Sequence, residues 1–481
     1  MIDVTVVGSG PNGLAAAVTM ARAGLSVHLL ERADTIGGGL RSAEVTMPGY
    51  LSDVCSAVHP AALASPFFRA FELRERVRFL VPKVSYAHPL DHGRAGIAWR
   101  DLDRTAAGLG VDGRAWRRLF RPLVDSIGGV VDFTGSQLLR MPHDPIAAAR
   151  YALRVLEYGS GLGRHIRFRD DVAPAMLAGV AAHAAAPIPS LSAAGAGLLL
   201  ATHAHAHGWG YPRGGSQAIA DALAADLLEH GGRIETGVNV QRLDDLEPSK
   251  VVLLDTSVRF LAAFAPLPRR YLRQLQNYRY GAAIAKVDFA VNAPVPWSNP
   301  DVRHAPTVHV GGSRREIAQA ENAVRRGRHP MRPYVLLTQQ SVLDDSRAPE
   351  GHQVLWAYTH VPLGSSVDAT RVITEQIERF APGFRDTVIV SVPTTAARLA
   401  EYNPNDVGGD ILGGQVTLRQ LVQRPVLSTK PWRTPIPGVY LCSAATPPGP
   451  AVHGMNGWYA ARLALRDVFG ITQPPRLGIG E

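Results

Sequence analysis

The chain has 481 residues, 46% apolar and 19% charged, a balance that suits a large globular core and excludes a disordered chain. Its net charge of +9 comes from arginine, since the lysines are Lys83, Lys250, Lys286 and Lys430 alone; with no polybasic block, a solvated basic surface is expected and no nucleic-acid partner. Cys55 and Cys442 lie far apart and neither belongs to a CxxC pair, which argues against dithiol redox chemistry.

An alternating Val/Thr strand from residue 4 runs into Gly8, Gly10 and Gly13 and then into an Ala-rich stretch that predicts a helix over about 12–23, stopped by Gly24. In such a turn Gly8 permits the reversal, Gly10 lets a pyrophosphate approach the backbone, and Gly13 lets the helix lie close to the strand. Pro11 suits the first helical turn, and the free N–H groups from Asn12 onward attract phosphate. A second strand, SVHLL, delivers Glu31 to the distance of the adenosine ribose hydroxyls, where a 2′-phosphate would be repelled. After Glu31 and Arg32 comes ADTIGGGLRS, in which Gly37, Gly38 and Gly39 allow close backbone approach and Arg41 can meet an anionic phosphate. This extension resembles the E-R, spacer, G-G signature of large flavoproteins and favours FAD over a nicotinamide nucleotide. Because the dinucleotide strand opens the sequence, a cytoplasmic location is the expectation.

Residues 105–185 carry apolar residues at helical spacing. The apolar run that follows, divided by Pro187 and Pro189, reads as core or as the wall of an apolar cavity; docking on a membrane surface is the lesser alternative, and no run is long enough to span a bilayer. His203, His205 and His207 alternate and would share a face if extended, but no Cys or carboxylate accompanies them, so loop or pocket histidines are expected and no metal centre. GSGLG at 159–163 follows a helix, not a strand, and is not a second nucleotide fingerprint.

Farther on, a helix is predicted over about 216–229, then an alternating strand around Val240, whose amide would lie near the adenine, and a return strand in VVLLDTS. Residues 258–400 read as an antiparallel sheet with an amphipathic helix in DATRVITEQIERFAPGF, while 294–332 reads as a polar lid or long loop. Near the end GVYLC runs through a Pro/Gly loop into a helix opening near Gly454, whose free N–H groups can face a flavin carbonyl.

The motifs GSGPNGL, RGGSQAIADAL, YNPNDVGGDI and PGVYLCSAATPPGPAVHGMNG resemble those of the phytoene desaturase and carotenoid isomerase-like FAD-dependent oxidoreductases, in particular the subgroup named for a pyridine nucleotide-disulphide oxidoreductase domain. The resemblance implies an α/β fold: a noncontiguous Rossmann-like FAD-binding domain (1–60, 205–257 and 405–475) and an inserted α+β substrate domain (61–204 and 258–404) with an antiparallel sheet and a helical subdomain. It also places Gly8, Gly10, Gly13, Glu31, Arg41, Val240, Ser443, Gly454, Met455 and Asn456 around the cofactor. Pro450 and Ala451 stand where relatives often have glycines, so the loop path there departs from the pattern.

The activity implied is a dehydrogenase, desaturase or isomerase passing hydride from an apolar, isoprenoid or lipid-like substrate to the flavin. His453 is the first candidate for an assisting side chain and the His203–His207 group the second. Amine oxidation on the same fold, and an FAD-binding partner or scaffold protein with little redox activity, are the alternatives. With no second nucleotide fingerprint, a quinone, oxygen or another protein is expected as electron acceptor.

Overall fold

In the computed structural model, which describes residues 2–160 and 168–480, the opening run Ile2–Val7 is the central strand of a five-stranded parallel sheet. The strand order is Val439–Leu441, Ser249–Leu254, Ile2–Val7, Val27–Leu30, Arg233–Glu235. Parallel strands covered on both faces must be apolar throughout, and Val27–Leu30 and Val251–Leu254 are buried at every position. Helices Pro11–Ala21, Gln217–Glu229 and Met455–Phe469 cover one face, and Val258–Phe264 and Arg269–Gln276 contribute to the apolar cluster on the other. The order reverses at Ile2–Val7, so a crevice opens between its C-terminal end and that of Ser249–Leu254.

A seven-stranded sheet is built from the intervening segments, in the order Val388–Thr394, Ala283–Val291, Gln353–Val361, Val335–Thr338, Thr307–Val310, Val84–Pro89, Ala95–Trp99. Strand alternation divides its faces. Val287, Phe289, Leu355, Ala357 and Leu337 pack one face into a core closed by helix Thr370–Phe380. Lys286, Trp356, Tyr358 and His360 lie on the other, which meets the short ribbon formed by Ser42–Ala43 and Ser52–Asp53, and Lys286 Nζ donates to the Asp53 and Val54 carbonyls. The fold is thus the α/β arrangement expected, with the α-helices Leu102–Gly108, Gly113–Asp125, Ile127–Thr134, Pro145–Gly159 and Val172–Ala181 in its helical portion among the described residues.

Four expectations need correction or completion. The region 294–332 is not a long loop: it holds strand Thr307–Val310 and helix Arg314–Arg325, begun by a capping box in which Ser313 and Glu316 satisfy each other's backbone N–H groups. Its polar surface hides the narrow buried stripe Ile317, Ala320 and Val324. No strand forms around Val240: Arg233–Glu235 ends before Gly237 at φ +75°, and the Val240 N–H donates to the Val238 carbonyl. His203 and His205 are neither extended nor in a loop, because an Ala/Leu-rich helix capped by Ser190 continues from Leu191 to Ala206. Of GSGLG, Gly159 ends the helix Pro145–Gly159, and positions 161–163 lie outside the described residues. Among the described residues, no helix is long and apolar enough to cross a membrane.

Candidate cofactor site and substrate face

At the crevice, Gly8 turns with φ +97° and its N–H donates to the Leu30 carbonyl. A Cβ on Gly13 would collide with the Gly8 carbonyl oxygen, so glycine there is what lets helix Pro11–Ala21 close on the turn. Asp255, just past strand Ser249–Leu254, packs against all three glycines, and its Oδ2 accepts the Gly13 N–H at 2.8 Å. Gly38, at φ +54°, lies directly on Gly10: a Cβ there would come within 3.0 Å of the Gly10 Cα. Gly37 anchors this contact by donating its N–H to the Ser9 carbonyl, and Gly39 follows in the same turn, with the Cys55 side chain beside it.

Glu31 is held from four directions. Its Oε2 accepts from the Ser9 N–H at 2.9 Å and hydroxyl at 2.6 Å; its Oε1 accepts from the Ala33 N–H at 2.9 Å and pairs with Arg41 at 3.2 Å. Arg41 also donates to the Thr35 carbonyl and stacks over Tyr402, which holds its guanidinium beside Glu31. Arg32 points to the exposed rim, donating to the Tyr402 carbonyl.

The C-terminal segment closes the other end of the crevice. The Ser443 hydroxyl donates to the Thr256 carbonyl at 2.6 Å, and Asn456 Nδ2 donates to the Thr446 carbonyl at 2.7 Å. Gly454, at φ +68°, caps helix Met455–Phe469, where a Cβ would enter the Phe67 ring. Ala451 takes φ +146°, a conformation that costs an alanine about 1–3 kcal/mol, at one of the positions where the motif departs from glycine. His453 Nδ1 accepts the Met455 N–H at 3.1 Å, which puts the ring proton on Nε2. Burial, opposed by the Gly449 backbone, drives His453 down to about 4, so the ring is neutral at pH 7.

This glycine-lined cradle fits a long dinucleotide. Two helix N-termini, at Pro11 and Met455, open at the same end of the parallel sheet. Asn12 Oδ1, Thr256 Oγ1, His453 Nε2 and Asn456 Oδ1 are buried there without a hydrogen-bond partner among the described residues.

Sequence reasoning missed Ser9, Asp255 and the polar face of the large sheet. Lys286, 3% exposed, pairs with Asp288 at 2.9 Å and lies 5.5 Å from the centre of the Trp356 ring. Beside them Trp356 and Tyr358 stack at 5.7 Å, His360 Nδ1 meets both oxygens of Glu321 at 2.9 Å, and His183 and His309 share an Nε2 to Nε2 hydrogen bond of 2.8 Å. A signal was there to find: Lys286 and Asp288 alternate within an otherwise apolar strand, as do Trp356, Tyr358 and His360. His205 is structural, Nε2 accepting from Trp116 Nε1 and Nδ1 donating to the Trp99 carbonyl.

A cavity of about 350 Å³ lies between helices Val172–Ala181 and Leu191–Ala206. Leu177, Ala178, Ala181, Ile188, Ala194 and Leu198 line it, with Glu157, Ser190 and Arg314 among the polar residues on its wall. Ala178, Ala181 and Ile188 belong to the same apolar cluster as Tyr334, Trp356 and Tyr358 of the sheet.

The model of the flavin-containing amine oxidoreductases matches residues 12–463. The chain belongs to that family. Its members carry a flavin, so this oxidoreductase is FAD-dependent, as the sequence extension after Glu31 suggested. Proteins named pyridine nucleotide-disulfide oxidoreductase domain-containing protein 2 from rat and mouse are 25% and 26% identical to it, over 97% of this chain and 94% of theirs. Solved structures share the fold of this family member: a redesigned putrescine oxidase (16% identical, 98% of each chain, TM-score 0.62) and the cyclohexylamine oxidase of Brevibacterium oxydans (14% identical, 97% of this chain and 98% of that one, TM-score 0.56).

Proposed function

We propose that this FAD-dependent oxidoreductase is a dehydrogenase, desaturase or isomerase of an apolar, isoprenoid or lipid-like substrate, with a quinone, oxygen or another protein as electron acceptor. The observation that carries the reading is the cavity between the two Ala-rich helices: Leu177, Ala178, Ala181, Ile188, Ala194 and Leu198 line it, and three of these pack in one apolar cluster with Trp356 and Tyr358 of the sheet face. Gly8, Gly10, Pro11, Asn12, Gly13, Gly38 and Gly39 would take the diphosphate, Glu31 the ribose, and Ser443, Gly454, Met455 and Asn456 the flavin end. The flavin held there would supply a hydride acceptor for an activated C–H.

The chain's own part is to orient the substrate and exclude water. Neutral His453, with Nδ1 occupied by the Met455 N–H, would assist as a hydrogen-bond donor through Nε2. Amine oxidation is the competing reading, favoured by the stacked Trp356 and Tyr358 pair. Against it, Trp356 already faces the Lys286 ammonium, which occupies the ring position that a substrate cation would use.

Anaerobic mixing of the holoenzyme with long-chain isoprenoids and lipids, and in parallel with aliphatic amines, tests the reading. Flavin bleaching by the apolar compounds alone supports it. Bleaching by amines alone overturns it, and bleaching by neither shifts the reading to a binding or scaffold role.

A further inference from the structure

The residue that touches every glycine of the phosphate turn is an acid. A Cβ on Gly8 would come within 2.8 Å of the Asp255 carbonyl oxygen, one on Gly10 within 2.5 Å of Asp255 Oδ2, and one on Gly13 within 3.0 Å of its Cβ. The Asp255 backbone N–H donates to the Val7 carbonyl at 2.8 Å, which fixes the residue at the mouth of the crevice where the strand order reverses. Its carboxylate caps the third residue of helix Pro11–Ala21 through the Gly13 N–H, one of the donors that such a helix offers to phosphate. An acid so placed competes for the ground on which a diphosphate with two negative charges must settle.

We infer that Asp255 makes FAD binding proton-linked: its neutral carboxyl admits the diphosphate, and its carboxylate resists it. A neutral carboxyl keeps the Gly13 N–H on its carbonyl oxygen while its hydroxyl is a donor for a phosphate oxygen; the carboxylate offers only acceptors and a repelling charge. Burial pushes Asp255 up to about 7, the Gly13 N–H opposing and the charge of Glu31 adding to the rise.

Other groups around it do not supply the same switch. Glu31 is held by Ser9, Ala33 and Arg41. Cys442, just past the neighbouring strand Val439–Leu441, is pushed well above its usual range by burial and by Asp255, and remains a thiol. The nearest helix contributes backbone N–H groups and the neutral Asn12. Since the diphosphate stabilises the protonated form, binding takes up a proton, and affinity falls as pH rises above the free-state value near 7.

The inference rests on the FAD site and not on the identity of the substrate. Its test is the equilibrium release of FAD from diluted holoenzyme, read by free-flavin fluorescence from pH 6 to 9, with proton uptake on rebinding read by calorimetry in two buffers of different ionisation enthalpy. The expected result is a Kd that rises by at least fivefold per pH unit between pH 7.5 and 9, with close to one proton taken up at pH 8. In Asp255→Asn, which keeps the Gly13 N–H bonded without a charge, the Kd should change less than twofold over the whole range and FAD should bind tighter than wild type at pH 9. A flat wild-type profile, or a slope that survives in Asp255→Asn, overturns the inference. A merely structural cap would lower thermal stability in the variant and leave the pH slope in place. Should Asp255→Asn fail to fold, the absence of proton uptake by wild type at pH 8 would by itself refute the linkage, and Asp255→Ser provides the second neutral variant.

Discussion

A Cβ on Gly13 would meet the backbone oxygen of Gly8, which cannot withdraw without opening the turn, whereas one on Gly10 would meet only the end of the Asp255 side chain. The two glycines therefore fail differently. We expect Gly13→Ala to cost at least about 1–3 kcal/mol of stability by overpacking, and Gly10→Ala less; chemical unfolding of both variants checks the order. Gly10→Val, by contrast, should abolish FAD retention, because a branched side chain fills the approach to the turn; a variant purified with full flavin occupancy would refute this placement of the diphosphate. A second residue-scale case is the ion pair of Lys286 and Asp288, 3% and 1% exposed. Burial pushes Asp288 upward and Lys286 opposes this, so Lys286→Met leaves an acid with no other ion-pair partner among the described residues. The single substitution should cost about 3–5 kcal/mol, the usual result of breaking a buried pair from one side, and Asp288→Asn added to it should restore part of the loss. Urea unfolding of the single and double variants measures the difference.

Whole elements were legible in the sequence where their cause is local. The strand, glycine turn and helix of residues 2–21 follow from neighbouring residues, and so do Gln217–Glu229 and the C-terminal helix capped by Gly454. Val240 was misread because its alternation of apolar residues continues past a strand that Gly237 has already ended. The helix of His203 and His205 was missed because period-two spacing of three histidines masked the Ala/Leu-rich run around them. The partners of Lys286 lie some 230 residues away at Asp53 and Val54, and no local pattern reports such a contact. Packing between distant helices was equally hidden: a Cβ on Gly457 would run into the Asn12 carbonyl oxygen, so this glycine seats the C-terminal helix on the first one. Gly457→Ala should therefore lower stability by about 1–3 kcal/mol and weaken FAD binding together, since the two helix N-termini that border the cradle move apart. Thermal unfolding with and without added FAD would show both effects, and an unchanged FAD affinity would separate the helix contact from the cofactor site.

Across the whole molecule, the buried histidines set the response to acid. Burial drives His59, His88, His205 and His453 down to about 4 and His183 and His203 to about 3, while His309 falls well below its usual range. For each, the unfolded chain binds a proton near 6.5 that the folded chain refuses, so stability declines as pH falls from 6.5 toward the folded value. Four buried acids work the other way: Asp255 and Asp406 are raised to about 7, and Asp288 and Asp410 are raised as well, so their contribution is lost as pH rises from about 4 toward 7. Among the described residues these seven histidines, joined by the partly buried His207, oppose the four carboxyls, and every pH unit that separates a group's folded and unfolded titration is worth about 1.4 kcal/mol, so the larger set decides the sign. We expect the unfolding temperature to fall steeply between pH 6.5 and 4.5, after a shallow region near neutrality where the carboxyls still act. Calorimetry in that window checks the direction, and His309→Gln isolates one contribution, because Gln can keep a hydrogen bond to His183 without titrating. The variant should lose less stability than wild type between pH 6.5 and 4.5; an identical decline would show that the acid response comes from elsewhere in the fold.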